Sequence, residues 1–272
     1  TGGAGMRAMA MAGVELYGPE MRWDGVEPSG GLDPLLFAEA ARTSRISVAP
    51  GDHEVFRSKY IPLLEVELAR SASAVRAMPG VHELLATLRG RSDVVLGLLT
   101  GNYAEAAALK LRAVSVDPAW FRVTAYGDQG SSRSDLVEVA FRNHERIFGE
   151  KVEPKKVIVI GDTPKDVKAA LQGGCVAFAV ATGRHEVSDL EAAGAHVAVK
   201  DLSDPAPLLA LLDGCESKFG PGEGCRFQRA VPRRDDVVQD AQGMQTAGHP
   251  RMDMQEAPSA GAGPSMNRNP KR

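Results

Sequence analysis

The sequence predicts an α/β protein: a parallel sheet with helices on both faces, joined to an all-helical block. Three observations predict it. From Val81 onward short apolar runs alternate with amphipathic stretches, and repeated strand–helix units of this kind require right-handed crossovers and a parallel sheet. The run over residues 94–99 is apolar on both faces, as a buried parallel strand is, and residues 156–160 read as a second such strand. Residues before Ala77, by contrast, carry almost no strand signal.

Taken in order, residues 5–16 place small and apolar side chains at helical spacing until Gly18-Pro19 stops the pattern. Helices follow over residues 34–43, after Asp33, and 54–70, whose apolar face is Val55, Phe56, Tyr60, Leu63, Leu64 and Leu68. Pro79-Gly80 resets the chain. A helix over 81–88 leads into the 94–99 strand, then come a helix over 104–113, a strand over 123–126 and a helix over 135–148. The 156–160 strand, a helix over 164–172 and strands over 176–180 and 196–199 complete the alternation. These elements divide the chain into an opening segment of the sheet domain (1–17), a helical block (18–77), the sheet domain (78–213) and a tail (214–272). The tail is rich in Gly, Pro, Arg, Gln and Met without periodicity, so disorder is expected there, and its basic pairs such as Arg233-Arg234 are offset by nearby acids.

Composition narrows the function. A 272-residue chain can bury a full core, and 43% hydrophobic with 25% charged residues is the balance of a soluble globular protein. The net charge of -3 gives no global attraction to nucleic acid or anionic membrane, so a phosphate-bearing ligand must be bound locally. Small anions are the expected partners. Cys175, Cys215 and Cys225 are odd in number and form no CxxC pair, which excludes a disulfide framework or zinc knuckle and suits a reducing cytoplasm. No HExxH pair occurs, and no apolar run approaches the ~18 residues of a membrane span. The first residue is Thr1 rather than Met, so the chain is expected to be a piece of something longer.

Chemistry concentrates at two strand ends. In Val157-Ile158-Val159-Ile160-Gly161-Asp162-Thr163-Pro164-Lys165-Asp166, one acid stands at the carboxyl end of a strand and a second on the first turn of the next helix. Ligands of open α/β sheets bind at that edge, and carboxylate oxygens there suit a hard cation such as Mg2+ that can neutralise a phosphoryl group. Asp162 as a simple helix cap ahead of Pro164 is the plainer alternative. In Leu98-Leu99-Thr100-Gly101-Asn102 a hydroxyl and free backbone N–H groups stand at another strand end, an arrangement that binds phosphate oxygens. Cys175 reads as a core residue, and Arg184 and His185 as an exposed loop at the same edge.

Together these segments resemble the second and fourth motifs of the haloacid dehalogenase superfamily, and the resemblance covers roughly residues 1–212. It implies a Rossmann-like parallel sheet with a small all-helical cap, as in the phosphoglycolate-phosphatase-like branch, and a Mg2+-dependent phosphatase acting on a small phosphorylated metabolite. It further implies that Thr100, with Gly101 and Asn102, holds the phosphoryl group, that Asp162 is a metal ligand, and that Asp166 is a second ligand or an orienting acid. Arg133 in Ser132-Arg133-Ser134-Asp135 is the best match for the cation of the third motif. Lys110 is the weaker match, expected to be solvated or snorkelling. The DxDxT motif of the family, whose first Asp forms an aspartyl-phosphate, occurs nowhere in the chain. Asp24 and Asp33 follow no strand and do not replace it. The central strand that carries the motif is therefore expected to be missing, and the chain by itself to be inactive. A phosphate-binding pseudoenzyme and a metal-free dehalogenase are the alternatives.

Overall fold

A computed structural model of the chain describes residues 1–214; the tail, with Cys215 and Cys225, lies outside the described residues. Helix α1 (Ala4–Tyr17) buries Ala4, Ala8 and Ala12 at intervals of one turn, together with Met9 and Gly13. Its small face allows a close approach: a β-carbon on Gly13 would stand 2.8 Å from the Met21 side chain. Gly18, at φ +81°, ends it by returning its N–H to the Val14 carbonyl. Helices α2 (Asp33–Thr43) and α3 (Asp52–Arg70) complete this layer, with Phe37 stacked on Phe56 at 4.6 Å and Phe56 on Tyr60 at 5.9 Å. The same apolar cluster continues into the sheet domain through Tyr103 and Ala106. At its rim, buried Glu67 is held between Arg7 and Arg70, both at 2.8 Å, which compensates a carboxylate taken out of water.

Inside the cluster the Tyr60 hydroxyl is fully enclosed and has no hydrogen-bond partner among the described residues. An enclosed, unpaired hydroxyl costs free energy that a phenyl ring does not. Tyr60→Phe is therefore expected to hold or raise stability, by about 1 kcal/mol at most. The denaturant midpoint checks this, and a drop of that size would contradict it.

Beyond α4 (Val81–Arg89) the strands and helices alternate: β1 (Gly97–Leu99), α5 (Ala104–Ala113), β2 (Val123–Ala125), α6 (Arg133–Phe148), β3 (Ile158–Gly161), α7 (Pro164–Gln172), β4 (Val176–Val180), α8 (Val187–Ala192), β5 (Val197–Val199) and α9 (Ala206–Leu212). Helices α8 and α9 lie outside the predicted set. All pairing is parallel, as predicted, but it forms two sheets, β1-β2 and β3-β4-β5. Strand β4 is buried throughout because it is paired on both sides and covered on both faces. Ala177 and Ala179 meet Val137, Val167 and Ala170 of α6 and α7, while Val176, Phe178 and Val180 meet Leu84, Leu88, Leu208 and Leu211 of α4 and α9.

The expectation that residues 94–99 and 156–160 are buried strands needs correction. Only residues 97–99 are in the ladder, Lys156 belongs to a short 3-10 turn, and Val95 and Ile160 are 37% and 40% exposed. The reason is topological: β1 and β3 each have a strand on one side only among the described residues. Between them runs a cleft of about 430 Å³, lined by Leu96, Leu98, Leu84, Leu88, Leu111 and Ile160. Apolar walls facing a trough of this kind are what a strand buried on both faces presents to its neighbour. Among the described residues no helix is long and apolar enough to cross a membrane.

Candidate active site

At the end of β1 the Thr100 N–H continues the ladder to the Ala125 carbonyl at 3.0 Å, and the Thr100 hydroxyl accepts from the Asn102 N–H at 3.2 Å. Three loops meet here backbone to backbone. A β-carbon on Gly101 would lie 1.9 Å from the Gly31 carbonyl oxygen, and one on Gly127 would lie 1.9 Å from the Gly101 carbonyl oxygen. Buried Asp33 fastens the arrangement: its N–H donates to the Gly101 carbonyl at 2.7 Å, and its two oxygens accept from the Asn102 amide at 3.0 Å and the Tyr103 N–H at 2.9 Å.

At the end of β3, Thr163 caps α7 and Asp166 returns the bond, a reciprocal box that the Asp-Thr-Pro-Lys-Asp sequence is suited to form. Asp166 is buried with both oxygens engaged: one accepts from Arg133 Nε at 2.7 Å, the other from the Thr163 hydroxyl at 2.7 Å and its N–H at 3.2 Å. The Asp162 side chain is engaged by no other side chain among the described hydrogen bonds and lies against Gly183, where a β-carbon would be 2.6 Å from its Oδ2. Burial first, and then the charge of Asp166, push its carboxyl above the ordinary aspartate range. A cation beside it would relieve both effects.

Arg133, the first residue of α6, links the two strand ends. Its Nε is bonded to Asp166, and its Nη1 lies 3.1 Å from the place a Gly101 β-carbon would occupy. The structure thus brings Gly101, Arg133 and Asp166 together. Thr100 and Asn102 line the cleft between the sheets, alongside Lys110. Lys110, expected to be solvated or snorkelling, is half-buried at the wall of that cleft. Its ammonium lies about 3.4 Å from the place a Gly5 β-carbon would occupy, near the Tyr60 hydroxyl, and burial pushes its pKa below the lysine value, with Asp33 opposing. Arg184 is exposed and paired with Glu27, as a loop residue should be. Cys175 is buried and its thiol is pushed up to about 11, which fits a core residue and not a nucleophile.

Sequence reasoning missed the loop over residues 29–33. Gly30 passes within 2.9 Å of the Thr163 hydroxyl, measured from its would-be β-carbon, and the Ser29 carbonyl accepts from Lys165 Nζ at 3.0 Å. Its only signal is the Gly30-Gly31 pair, which also reads as an ordinary turn. Beside it lies a second cleft of about 380 Å³ where Arg133, Lys165 and Lys168 face Glu27 and Glu39. Among the described residues no group of three or more His, Cys, Asp or Glu side chains could hold a metal ion. One free carboxylate with a second behind it still fits Mg2+, which keeps several waters and takes one or two carboxylates plus substrate oxygens.

A family model described as HAD-hydrolase-like matches residues 132–205, from the cap of α6 through β5. The fold is shared with a hydrolase from Pseudomonas syringae (TM-score 0.58, 24% identity, 80% of this chain and 94% of that one). It is also shared with CbbY from Rhodobacter sphaeroides, solved in complex with phosphate (TM-score 0.58, 20% identity, 74% and 88%). Residues 132–205 are thus similar to haloacid-dehalogenase-like hydrolases, and the chain shares the fold of the two solved structures. Its resemblance to the phosphoglycolate-phosphatase-like branch stands as well. A phosphoglycolate phosphatase of Synechococcus elongatus is 30% identical over 137 residues, which span 50% of this chain and 61% of that relative. The two strand ends just described lie at the sheet edge where open α/β sheets bind ligands.

Proposed function

We propose that the parent protein hydrolyses a phosphate monoester of a small metabolite in a Mg2+-dependent reaction through an aspartyl-phosphate. One observation carries the reading: the loop that begins at Thr100 and the loop of Asp162 to Asp166 meet at a single guanidinium, that of Arg133, which lies beside Gly101 and bonds Asp166. In this reading the Thr100 hydroxyl and the Gly101 and Asn102 N–H groups hold phosphoryl oxygens, and Arg133 balances their charge. Asp162 would hold Mg2+, with Asp166 as a further ligand or, since its oxygens are engaged, as the group that orients Arg133 and Thr163. The bound ion would supply charge neutralisation on the phosphoryl oxygens. The nucleophile is an aspartate carboxylate that attacks phosphorus as the ester oxygen leaves; a second aspartate protonates that oxygen and then takes a proton from the water that cleaves the aspartyl-phosphate.

Both aspartates are assigned to a strand lying between β1 and β3. The apolar cleft between the two sheets supports that assignment, because a strand paired on both sides would cover Leu98 and Ile160. The three or four buried side chains of such a strand, at ~1.5–3 kcal/mol each, would contribute something like 5–10 kcal/mol. The helical residues act as the cap, closing over the substrate to exclude water, and the metabolite is small enough for the cleft beside the loop over residues 29–33.

The test extends the chain at its amino end by about fifteen residues, an apolar strand ending in the DxDGT pattern, and assays an aryl phosphate with Mg2+. The extended protein is expected to unfold at higher temperature than the chain itself and to hydrolyse the ester. Activity should disappear with a chelator or with Asp162→Asn. An extended protein that folds and binds phosphate yet hydrolyses nothing would instead identify a non-catalytic phosphate binder.

A further inference from the structure

We infer that Asp33 is a positioning residue through which the helical unit sets the shape of the loop from Thr100 to Tyr103. The inference rests on the reading of that loop as the phosphoryl-binding one. Asp33 begins α2, so it belongs to the helical layer, yet its N–H and both carboxylate oxygens bond to the sheet domain. They engage successive residues: the Gly101 carbonyl, the Asn102 side chain and the Tyr103 N–H. Only 1% of Asp33 is exposed, whereas an aspartate serving merely to start a helix is ordinarily solvated. Its first-turn place on α2 needs no such contacts, since Pro34 stands beside it at the helix start and lacks an N–H to satisfy.

The carboxylate is not left uncompensated. Lys110, from α5 of the sheet domain, is the largest favourable charge acting on it, and each group holds the other in its charged form against burial. The two layers therefore meet through directed hydrogen bonds, in addition to the aromatic contacts around Tyr103. Fixing the Asn102 side chain and the Tyr103 N–H leaves the Thr100 hydroxyl and the Gly101 and Asn102 N–H groups in one arrangement. Removing the Asp33 carboxylate takes away two of these restraints, on Asn102 and Tyr103, and leaves only the backbone bond to Gly101. By linkage, an anion that favours the ordered loop must in turn favour the docked position of α2.

The experiment uses the full 272-residue chain, with inorganic phosphate and Mg2+ as the probe, and compares Asp33→Ala, Asp33→Asn and Thr100→Val. Phosphate affinity is read by calorimetry and backbone protection by hydrogen exchange. Asp33→Ala is expected to weaken phosphate at least tenfold, and Asp33→Asn, which keeps one acceptor and which Asn102 can meet by turning its amide, to recover most of the loss. In the parent chain phosphate should slow exchange along α2 as well as in the loop. In Asp33→Ala, at phosphate levels that still saturate, protection of α2 should be lost while that of the loop remains. A purely structural role would not uncouple the two. If Thr100→Val weakens phosphate but Asp33→Ala does not, or if α2 is still protected in Asp33→Ala, the inference is overturned and the active-site reading stands. If the parent chain fails to bind phosphate and Thr100→Val changes nothing, the reading falls and takes the inference with it.

Discussion

Asp166→Ala is expected to lower stability by about 3–5 kcal/mol, the cost of breaking a buried ion pair by removing one partner. Arg133 would keep its position at 18% side-chain exposure without the carboxylate that offsets its desolvation. The loss extends to local structure, since the Thr163 N–H and hydroxyl both donate to Asp166 and the amino end of α7 would be uncapped. At roughly 2–4 °C per kcal/mol for a domain of this size, the thermal midpoint should fall by something like 6–20 °C. Asp166→Asn should fall less, because its amide oxygen can still serve the cap. Circular dichroism during heating measures both, and equal midpoints for the parent chain and the alanine variant would contradict the pairing drawn above.

Gly101→Ala is expected to be nearly as damaging for a different reason. The added methyl would meet the Gly31 carbonyl oxygen at 1.9 Å, and that neighbour is backbone, with no flexible end to move aside. Either the 29–33 loop retreats, breaking the Asp33 N–H bond to Gly101, or the Thr100 loop retreats from β2. Overpacking of this kind costs about 1–3 kcal/mol in stability. The larger consequence is for binding, because either movement misplaces the Thr100 hydroxyl. Phosphate affinity should drop by at least an order of magnitude, measured in the same titration as for Thr100→Val. Gly101 has no left-handed φ, so the requirement for glycine here is one of space alone.

Much of this architecture follows from period and punctuation. Apolar spacing located α1 to α7 and the strand positions, and Gly18 and Pro79-Gly80 marked real boundaries. The two strand-end motifs were identifiable because acid and hydroxyl residues after apolar runs are unusual in a core. What the sequence could not supply was adjacency. Nothing in residues 94–99 or 156–160 says whether the neighbouring position in the sheet is filled, so both were expected to be buried. Lys110 is half-buried for a related reason: a lysine on a helix is expected to reach water, and only the packing of α1 and Tyr60 beside it draws it partly inward. Asp33 was set aside because no strand precedes it. Its importance comes from residues 68 to 70 positions away, beyond the reach of any local pattern.

The apolar cluster that runs unbroken from α1, α2 and α3 into Tyr103 and Ala106 gives the junction between the two layers the thermodynamics of a small folding reaction. Parting the layers exposes aromatic surface to water and so raises the heat capacity of the open form. If the helical layer opens in the proposed cycle, that equilibrium would bend with temperature instead of following a straight van't Hoff line, and turnover gated by it would inherit the same curvature.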